Sequence, residues 1–597
     1  MKTPRRIATI RVETKVTADY PLSKYKFALF NSGLVPISTY RRDSWALEAT
    51  RPESIRIDIG WGAEWMNWES EVARRDSDTV VYNFSELNDL GAVMSALKIR
   101  PYWSYCYVPK AFRPPGGDWR TLDRDDSGWV ELVRSYVESA NAAGLGIGYH
   151  EVYNEPDLRD ERTGEPVFYR GDLADYLDLY AACAPAIRSA DADAPIGGPA
   201  LASVAANEHW IPALLDRVRE EDLPLDFLSF HHYGTHSVGA AIDRVFAQLA
   251  SRPGTAELET HLNEYNSFPV DYPRGGFQDG HHMASALLKD FHDLLARPGL
   301  TRVHWAQFLD SGSGNYSGMI DVDGESKAAF YAYQLFQAMP TDRIAAHIDG
   351  TDVHALAAAE PGRTEVLVFS RAGNSTAVAL QWDGLAQEVQ TVDILSVDAV
   401  NRIPLTNTVD IVDGITTFEL SAGGFALLRA RTSSGVVSPP GPAGVVVRTR
   451  HSYPDRWTTA WADIDERATT FRFGSASSPA SVPAATMVLR DFAPVLDVVA
   501  HVHRNGLDLV DAGTAISVRV GDGRSTVQID LAAAHPSASR WPSWAGPEKA
   551  GSSVDAAAQS ARIDLSALGF TGSDLTVTAI VQTGDTGLFA TITLLPA

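Results

Sequence analysis

Cysteine is nearly missing from this chain: Cys106 and Cys183 are the only two in 597 residues. Two thiols cannot form a disulfide framework or a four-thiolate metal site, so packed cores must hold the fold. Long apolar runs are missing too. No stretch approaches the roughly 20 apolar residues of a membrane-crossing helix. The basic start MKTPRRIATIRVETKV is not followed by the apolar segment of about 7–15 residues that a secretory leader carries. A cytoplasmic location with no membrane partner is therefore expected. Positive charge is the third shortage: 51 Lys and Arg stand against 75 Asp and Glu, a net charge of −24. An acidic surface of that kind argues against nucleic acid and anionic membranes as partners.

What is present is ample core material. Hydrophobic residues make up 45% and charged residues 21%, ordinary values for a globular protein, and the length allows about three or four domains. From about residue 25 to 340, short apolar runs alternate with longer helical patterns. The predicted strands are 27–33, 55–62, 99–105, 148–156, 195–200, 226–234, 259–266 and 302–310. Stretches such as WVELVRSYVESANAAG (129–144) and HHMASALLKDFHDLLARPG (281–299) repeat apolar residues at three- and four-residue spacing, which predicts helices. The strands are nearly continuous apolar runs, as in sheets buried on both faces. The pattern predicts an α/β fold, a closed parallel (β/α)8 TIM barrel over 21–339.

After Pro340 short strands with turn residues take over, including EVLVFSRAG (365–373), TAVALQWDG (376–384) and GGFALLRAR (423–431). They predict an accessory β-sandwich over 340–432, to which an N-terminal strand within residues 1–20 adds itself. SSGVVSPPGPAGV marks a linker at 433–445. An additional C-terminal β-rich, sandwich-like domain is expected over 446–597, with strands such as 515–523 and 575–584.

The chemistry concentrates in two segments, HEVYNEPD (150–157) and THLNEYNS (260–267). Each carries an Asn–Glu pair at the end of a predicted strand, the fourth and the seventh. The strand C-termini of a barrel open into one mouth, so Glu155 and Glu264 are expected to meet although 109 positions (264 − 155) separate them. Paired carboxyls are what glycoside hydrolysis needs, one protonated to release the leaving oxygen and one ionised. A spacing of about 5–5.5 Å gives retention and roughly 6.5–9.5 Å inversion, and the residues alone leave both open.

Supporting groups surround the pair. Strand alternation puts His231 and Tyr233 on one side and His232 on the other. A Tyr233 hydroxyl near Glu264 would hold that carboxylate ionised. Asn154 is suited to a sugar 2-hydroxyl. Arg56 either pairs with buried acids inside the barrel or touches substrate. Trp305, Trp103, Trp61, Trp65, Trp68, Tyr102, Tyr105 and Tyr107 offer flat walls for a sugar ring, and Trp305 and Trp103 are taken as substrate contacts. A catalytic metal is not expected. The neighbours in His231–His232 face opposite ways, and neither His281–His282 nor His236 belongs to a His–Glu–x–x–His arrangement. DVDGES (321–326) lacks a 12-residue calcium pattern, and Asp323–Gly324 predicts a hairpin turn.

Taken in order, YHEVYNEPDL, SFHHYG, HLNEYNS and HWAQFLDSG resemble clan A glycoside hydrolases, above all glycoside hydrolase family 39 of β-xylosidases and α-L-iduronidases. The resemblance covers about residues 1–435 and implies a barrel paired with a β-sandwich. It implies that Glu155 is the acid/base and Glu264 the nucleophile, with His231 and Tyr233 as the His–x–Tyr pair. It also implies that GMIDVDGESKAAFYAYQLF (318–336) is the closing loop and last barrel helix. One departure stands out. The family often has Arg–x–His at strand two, where this chain has Arg56–Ile57–Asp58. A carboxylate there accepts from sugar hydroxyls and repels a substrate carboxylate.

The expectation is thus a retaining glycoside hydrolase, exo-acting on a short glycoside of xylose or arabinose type, without cofactor. A transglycosylase with the same carboxylate pair and a non-catalytic sugar-binding protein are the alternatives. Trp457, Trp461, Trp541 and Trp544 suit either a carbohydrate-binding module or a structural domain. The acidic multi-domain chain is also a candidate homo-oligomer.

Overall fold

A computed structural model describes residues 7–431 except 34, 36–38, 41–42, 63–70, 78, 124–126, 235–237, 256, 268–276, 312–315, 323–325, 351, 387–388 and 400–404. Beyond 431 it describes the strands between Val445–Ser452 and Thr586–Leu594. Trp65, Trp68, His236, the Asp323–Gly324 turn, Trp457, Trp541, Trp544 and all but the last residue of the 433–445 linker lie outside the described residues.

The chain divides into two compact units, residues 20–319 and residues 1–19 with 320–597. The first unit is a closed barrel of eight parallel strands: Phe27–Asn31, Ser54–Asp58, Arg100–Tyr105, Tyr149–Val152, Ile196–Leu201, Phe227–Tyr233, Glu259–Asn266 and Arg302–Ala306. They follow one another around the barrel in chain order, and the eighth pairs with the first. Phe27–Asn31 and Ser54–Asp58 are buried at every position, as strands covered on both faces must be. Arg56 and Asp58 are the charged residues that such a run tolerates only with partners.

The helices cover the barrel with single apolar faces. In Gly128–Ala142 the buried residues are Trp129, Leu132, Val133, Tyr136, Val137 and Ala140, at three- and four-residue spacing. Leu173–Ala190 starts at a reciprocal cap between Asp172 and Asp175. The helix His281–Leu295 ends earlier than its pattern suggests, and Lys26 donates to the carbonyls of Leu294 and Arg297 at 2.7 Å each.

The seventh strand is irregular in a way that alternation does not reveal. Its register against the sixth strand shifts between Leu262 and Glu264. Such a bulge inserts a residue and re-aims the side chains beyond it. The eighth strand stops at Ala306 rather than at the predicted 310.

In the second unit one sheet of nine strands is described. It runs from Leu405–Asp410 through Thr391–Val397, Phe425–Arg431, Arg363–Ser370, Val353–Glu360, Asp342–Asp349, Ile7–Thr17 and Thr376–Asp383 to Ile415–Leu420. Ile7–Thr17 pairs antiparallel with Asp342–Asp349 and parallel with Thr376–Asp383. Its alternation buries Ala8, Ile10 and Val12 in a core shared with Val366, Val368, Leu380 and Leu428. The helix Ala328–Ala338 falls within this unit. Past residue 445 the strands form two five-stranded antiparallel sheets.

Candidate active site

Glu155 and Glu264 meet at the C-terminal end of the barrel strands. One carboxyl oxygen of each, with a ring nitrogen of His231, lie within 4.8 Å of one another. Two different backbone devices bring them there. Asn154 and Glu155 follow the fourth strand in a turn where Tyr153 has φ 69° and Glu155 φ 44°, left-handed values that side chains other than glycine adopt at a cost. The Glu155 N–H is held by the Ala200 carbonyl at 3.1 Å. Glu264 sits within the seventh strand, just past its bulge. Asn263 and Glu264 are consecutive, yet both reach the barrel interior: Asn263 donates to Glu151 at 2.6 Å, and Glu264 accepts from Arg56 at 3.2 Å.

Arg56 is the hub and is fully buried. Its guanidinium contacts Glu151 at 2.7 and 2.8 Å, Asp58 at 2.9 Å and Glu264 at 3.2 Å, and donates to the Asn154 side-chain carbonyl at 2.8 Å. Its face lies 5.0 Å from the centroid of the Phe30 ring. The expectation for Arg56 thus resolves toward pairing with buried acids. Glu151 is fully buried, and its Oε1 accepts from Asn263. The hydroxyl of Tyr102 lies 3.4 Å from the same oxygen and accepts from Asn263 at 3.0 Å.

One guanidinium thus faces four carboxyls, Asp58, Glu151, Glu155 and Glu264. If all four ionised, the cluster would carry three excess negative charges (1 − 4 = −3) in a water-poor interior. Glu151 is held below its ordinary value, because Arg56 and hydrogen-bond donors outweigh its burial. The other three are pushed up. Burial raises Glu155 to about 8, helped by the negative charge of Asp157. Burial raises Glu264 to about 7, against the opposing effects of His231 and Arg56. Burial also raises Asp58 to about 7, with Glu151 and Glu155 adding repulsion.

His231 stands between the two glutamates. Its Nδ1 lies 2.8 Å from Glu155 Oε1 and 3.4 Å from Glu264 Oε2. Burial lowers its pKa to about 4, so near neutral pH it is an uncharged imidazole and these contacts are hydrogen bonds, not ion pairs. The tautomer with hydrogen on Nδ1 serves both oxygens. Tyr233 donates to Glu264 Oε1 at 2.5 Å. His232 turns the other way, its ring 6.3 Å from that of Tyr265. Glu155, His231 and Glu264 have the donor types of a metal site, but Arg56 already supplies the positive charge beside Glu264.

Trp305 and Trp103 are not brought to the carboxyl pair. Trp305 is fully buried, packed edge-on to Tyr265 at 5.8 Å and to Phe291 of the helix His281–Leu295 at 6.3 Å. His304, its neighbour, lies 3.3 Å from Ser54 inside the barrel, so alternation turns Trp305 outward. Trp103 is fully buried too and lies toward Tyr136 of the helix Gly128–Ala142, while Tyr102 takes the inward place. Trp61 stacks on Tyr105 at 5.8 Å. Among these aromatics Tyr107 comes to the cluster, accepting from Asn154 Nδ2 at 3.2 Å. Glu151, Asn263 and Asp157 were not singled out from the sequence. Glu151 was readable, since strand alternation opposes it to His150, whereas Asn263 depends on the bulge.

Residues 22–274 match the family model described as glycosyl hydrolases family 39. A beta-xylosidase of Caldicellulosiruptor saccharolyticus is 24% identical over 312 residues, 47% of this chain and 62% of that protein. A beta-xylosidase of Geobacillus stearothermophilus is 24% identical over 363 residues, 53% of this chain and 66% of that protein. The chain thus spans slightly under two thirds of these curated relatives. Among solved structures, a GH39 enzyme from Xanthomonas axonopodis pv. citri superposes with TM-score 0.59 at 19% identity, over 72% of this chain and 98% of that one. A monomeric beta-xylosidase from Caulobacter crescentus CB15 superposes with TM-score 0.57 at 16% identity, over 71% and 99%. These structural likenesses support the fold.

Proposed function

We propose, from the match of residues 22–274 to the model of glycosyl hydrolases family 39, that the chain is a retaining glycosidase acting on a short xylose-type or related glycoside. The observation that carries this reading is the carboxyl pair, with oxygens within 4.8 Å, joined through one imidazole nitrogen. That spacing of one oxygen from each carboxyl favours the close pairs of about 5–5.5 Å that form a covalent intermediate over the wider pairs that leave room for a water.

The electrostatics support Glu264 as the nucleophile and Glu155 as the acid/base. Glu264 ionises near pH 7 and Glu155 near 8. Between those values the dominant singly protonated state keeps the proton on Glu155. Arg56 and Tyr233 both place positive hydrogen-bond density on Glu264, which favours its anion. In the first step a Glu264 oxygen attacks the anomeric carbon, the glycosidic bond breaks, and the Glu155 proton passes to the leaving oxygen. In the second step Glu155, now a carboxylate, takes a proton from water. The resulting hydroxide equivalent attacks the anomeric carbon, and the bond to Glu264 breaks. Asn154, oriented by Arg56 and Tyr107, donates toward the sugar 2-hydroxyl.

Asp58 lies 2.9 Å from Arg56 and is 5% exposed. As a hydroxyl acceptor it favours neutral sugars and disfavours a uronic acid. The beta-xylosidase relatives make a xyloside the first substrate to try.

A panel of nitrophenyl glycosides tests the reading, comparing the wild type with Glu264→Ala and Glu155→Ala. Glu264→Ala should lose about 10⁴-fold or more of kcat with every substrate. Glu155→Ala should lose most with poor leaving groups and little of the first step with dinitrophenyl. Proton NMR of the product formed first should give the anomer of the substrate. An inverted product, or activity surviving in Glu264→Ala, would refute the mechanism.

A further inference from the structure

Glu155 is held by a loop with unusual anchoring, and the anchor is a carboxylate the chemistry above does not use. Asp157 is 3% exposed and reaches away from the fourth strand toward the end of the fifth. It accepts from the Ala202 N–H at 2.8 Å, the Ser203 N–H at 3.3 Å and the Asn207 side-chain amide at 2.8 Å. Ser203 in turn caps the short helix Val204–Asn207. Within the turn the Leu158 N–H returns to the Glu155 carbonyl at 3.2 Å. The left-handed backbone at Glu155 is thus clamped on both sides, by Ala200 through its own N–H and by Asp157 two residues on. Strain of this kind persists only where its surroundings over-determine it.

We propose that Asp157 is the positioning residue for proton delivery: its buried carboxylate pins the Glu155 loop to the end of the fifth strand and holds a negative charge two residues along from the acid. The inference rests on Glu155 as the acid/base. The other groups facing Glu155 are accounted for. From the sixth strand come His231, which is uncharged, and Tyr233; from the seventh comes Glu264; from the second come Arg56 and Asp58; Tyr107 follows the third. Of these, Glu264 must be ionised during the reaction, and Arg56 works against proton retention. Asp58 is paired with Arg56 at 2.9 Å, whereas Asp157 takes its bonds from neutral donors and no part in the bond changes, so its negative charge beside Glu155 is constant through the cycle. Its three N–H donors favour its own anion, although burial raises its pKa.

The test is Asp157→Asn, which keeps the shape, removes the charge and turns one acceptor into a donor facing Ser203 and Asn207. Two glycosides of the same sugar are compared, one with an alkyl or sugar leaving group and one with 2,4-dinitrophenol. With the poor leaving group, the basic limb of kcat/KM should move down by roughly one pH unit, the scale of removing a neighbouring charge. With dinitrophenol, whose departure needs no proton, kcat/KM should stay within about twofold, which also shows that the variant folds. An equal loss with both leaving groups would mean a purely structural role and overturn the proposal, as would an unmoved basic limb. Wild type inert toward every glycoside would fail the glycosidase reading instead. The infrared carboxyl band lost in Glu155→Gln then decides: its titration midpoint must fall in Asp157→Asn, and an unchanged midpoint overturns the proposal.

Discussion

Tyr233→Phe removes one atom and, with it, a hydrogen bond to the proposed nucleophile. Tyr233 Oη donates to Glu264 Oε1 at 2.5 Å, and such a bond to a charged group is worth about 1.5–3 kcal/mol. At about 1.4 kcal/mol per pKa unit, its loss should raise the Glu264 pKa by roughly one to two units. The sign follows from the role. Glu264 must be ionised to attack, burial already raises it to about 7, and removing a donor that favours the anion raises it further. The acidic limb of kcat/KM therefore moves to higher pH. At pH 7 the ionised fraction falls from about half to about a tenth or a hundredth, a loss of roughly 5- to 50-fold from protonation alone. The raised Glu264 then meets or passes Glu155, near 8, so the basic limb is carried up by as much as about one unit as well and the maximum drops. Because the two groups titrate as a pair, the whole bell is the quantity to fit. The assay is kcat/KM for an aryl glycoside from about pH 4 to 10, with thermal unfolding as a check on folding. An acidic limb that stays put or moves down would refute the reasoning.

Two further predictions concern the frame around the pair. Arg56→Leu strands Glu151, whose fully buried carboxylate then lacks its 2.7 Å partner. The cost should be about 3–5 kcal/mol, a drop in Tm on the order of 10 °C for a unit of this size. With Arg56, Glu151 titrates below its ordinary 4.5, so this stabilisation is present above that value and lost as pH falls. Differential scanning calorimetry should therefore find the gap between the two proteins closing in acid, and a gap that widens there would count against the assignment. Gly197→Ala places a Cβ 2.3 Å from the Phe227 carbonyl and 2.4 Å from its ring. The fifth strand must then move off the strand that carries His231, at a cost of roughly 1–3 kcal/mol. Gly373→Ala meets nothing within 4 Å and serves as the control; equal Tm values for the two variants would contradict the packing.

The barrel was legible because each of its strands is a short run buried on both faces, which leaves a continuous apolar stretch bounded by polar turns. The expected strands overlap all eight observed ones, and Glu259–Asn266 matches end to end. His231 and Tyr233 were legible for the same reason, since strict alternation holds along Phe227–Tyr233. The aromatics obey the same alternation, and it turns two of them away from the carboxyl pair. Once His304 and Tyr102 occupy the interior, Trp305 and Trp103 must face the helices. Asn263 was out of reach, because a bulge leaves no compositional mark in THLNEYNS.

The two Asn–Glu pairs look alike as text and are achieved by opposite means. In a regular strand an Asn and the Glu after it would point to opposite faces, and only one could reach the barrel mouth. The seventh strand escapes this by inserting a residue between Leu262 and Glu264. The fourth strand escapes it by ending at Val152 and turning through left-handed Tyr153 and Glu155. In both cases the Asn is spent on the polar network, Asn154 on Arg56 and Tyr107, Asn263 on Glu151 and Tyr102. The Glu is thereby left at the surface of that network, 7% exposed at Glu155 and 9% at Glu264. The difference in device carries over to the chemistry. A glutamate inside a strand, paired as Glu264 is with His231 of the sixth strand, suits the group that must form a bond to carbon at fixed distance. A glutamate on a clamped turn depends on its clamp, which is why the charge and the hydrogen bonds of Asp157 bear on proton transfer and not on attack.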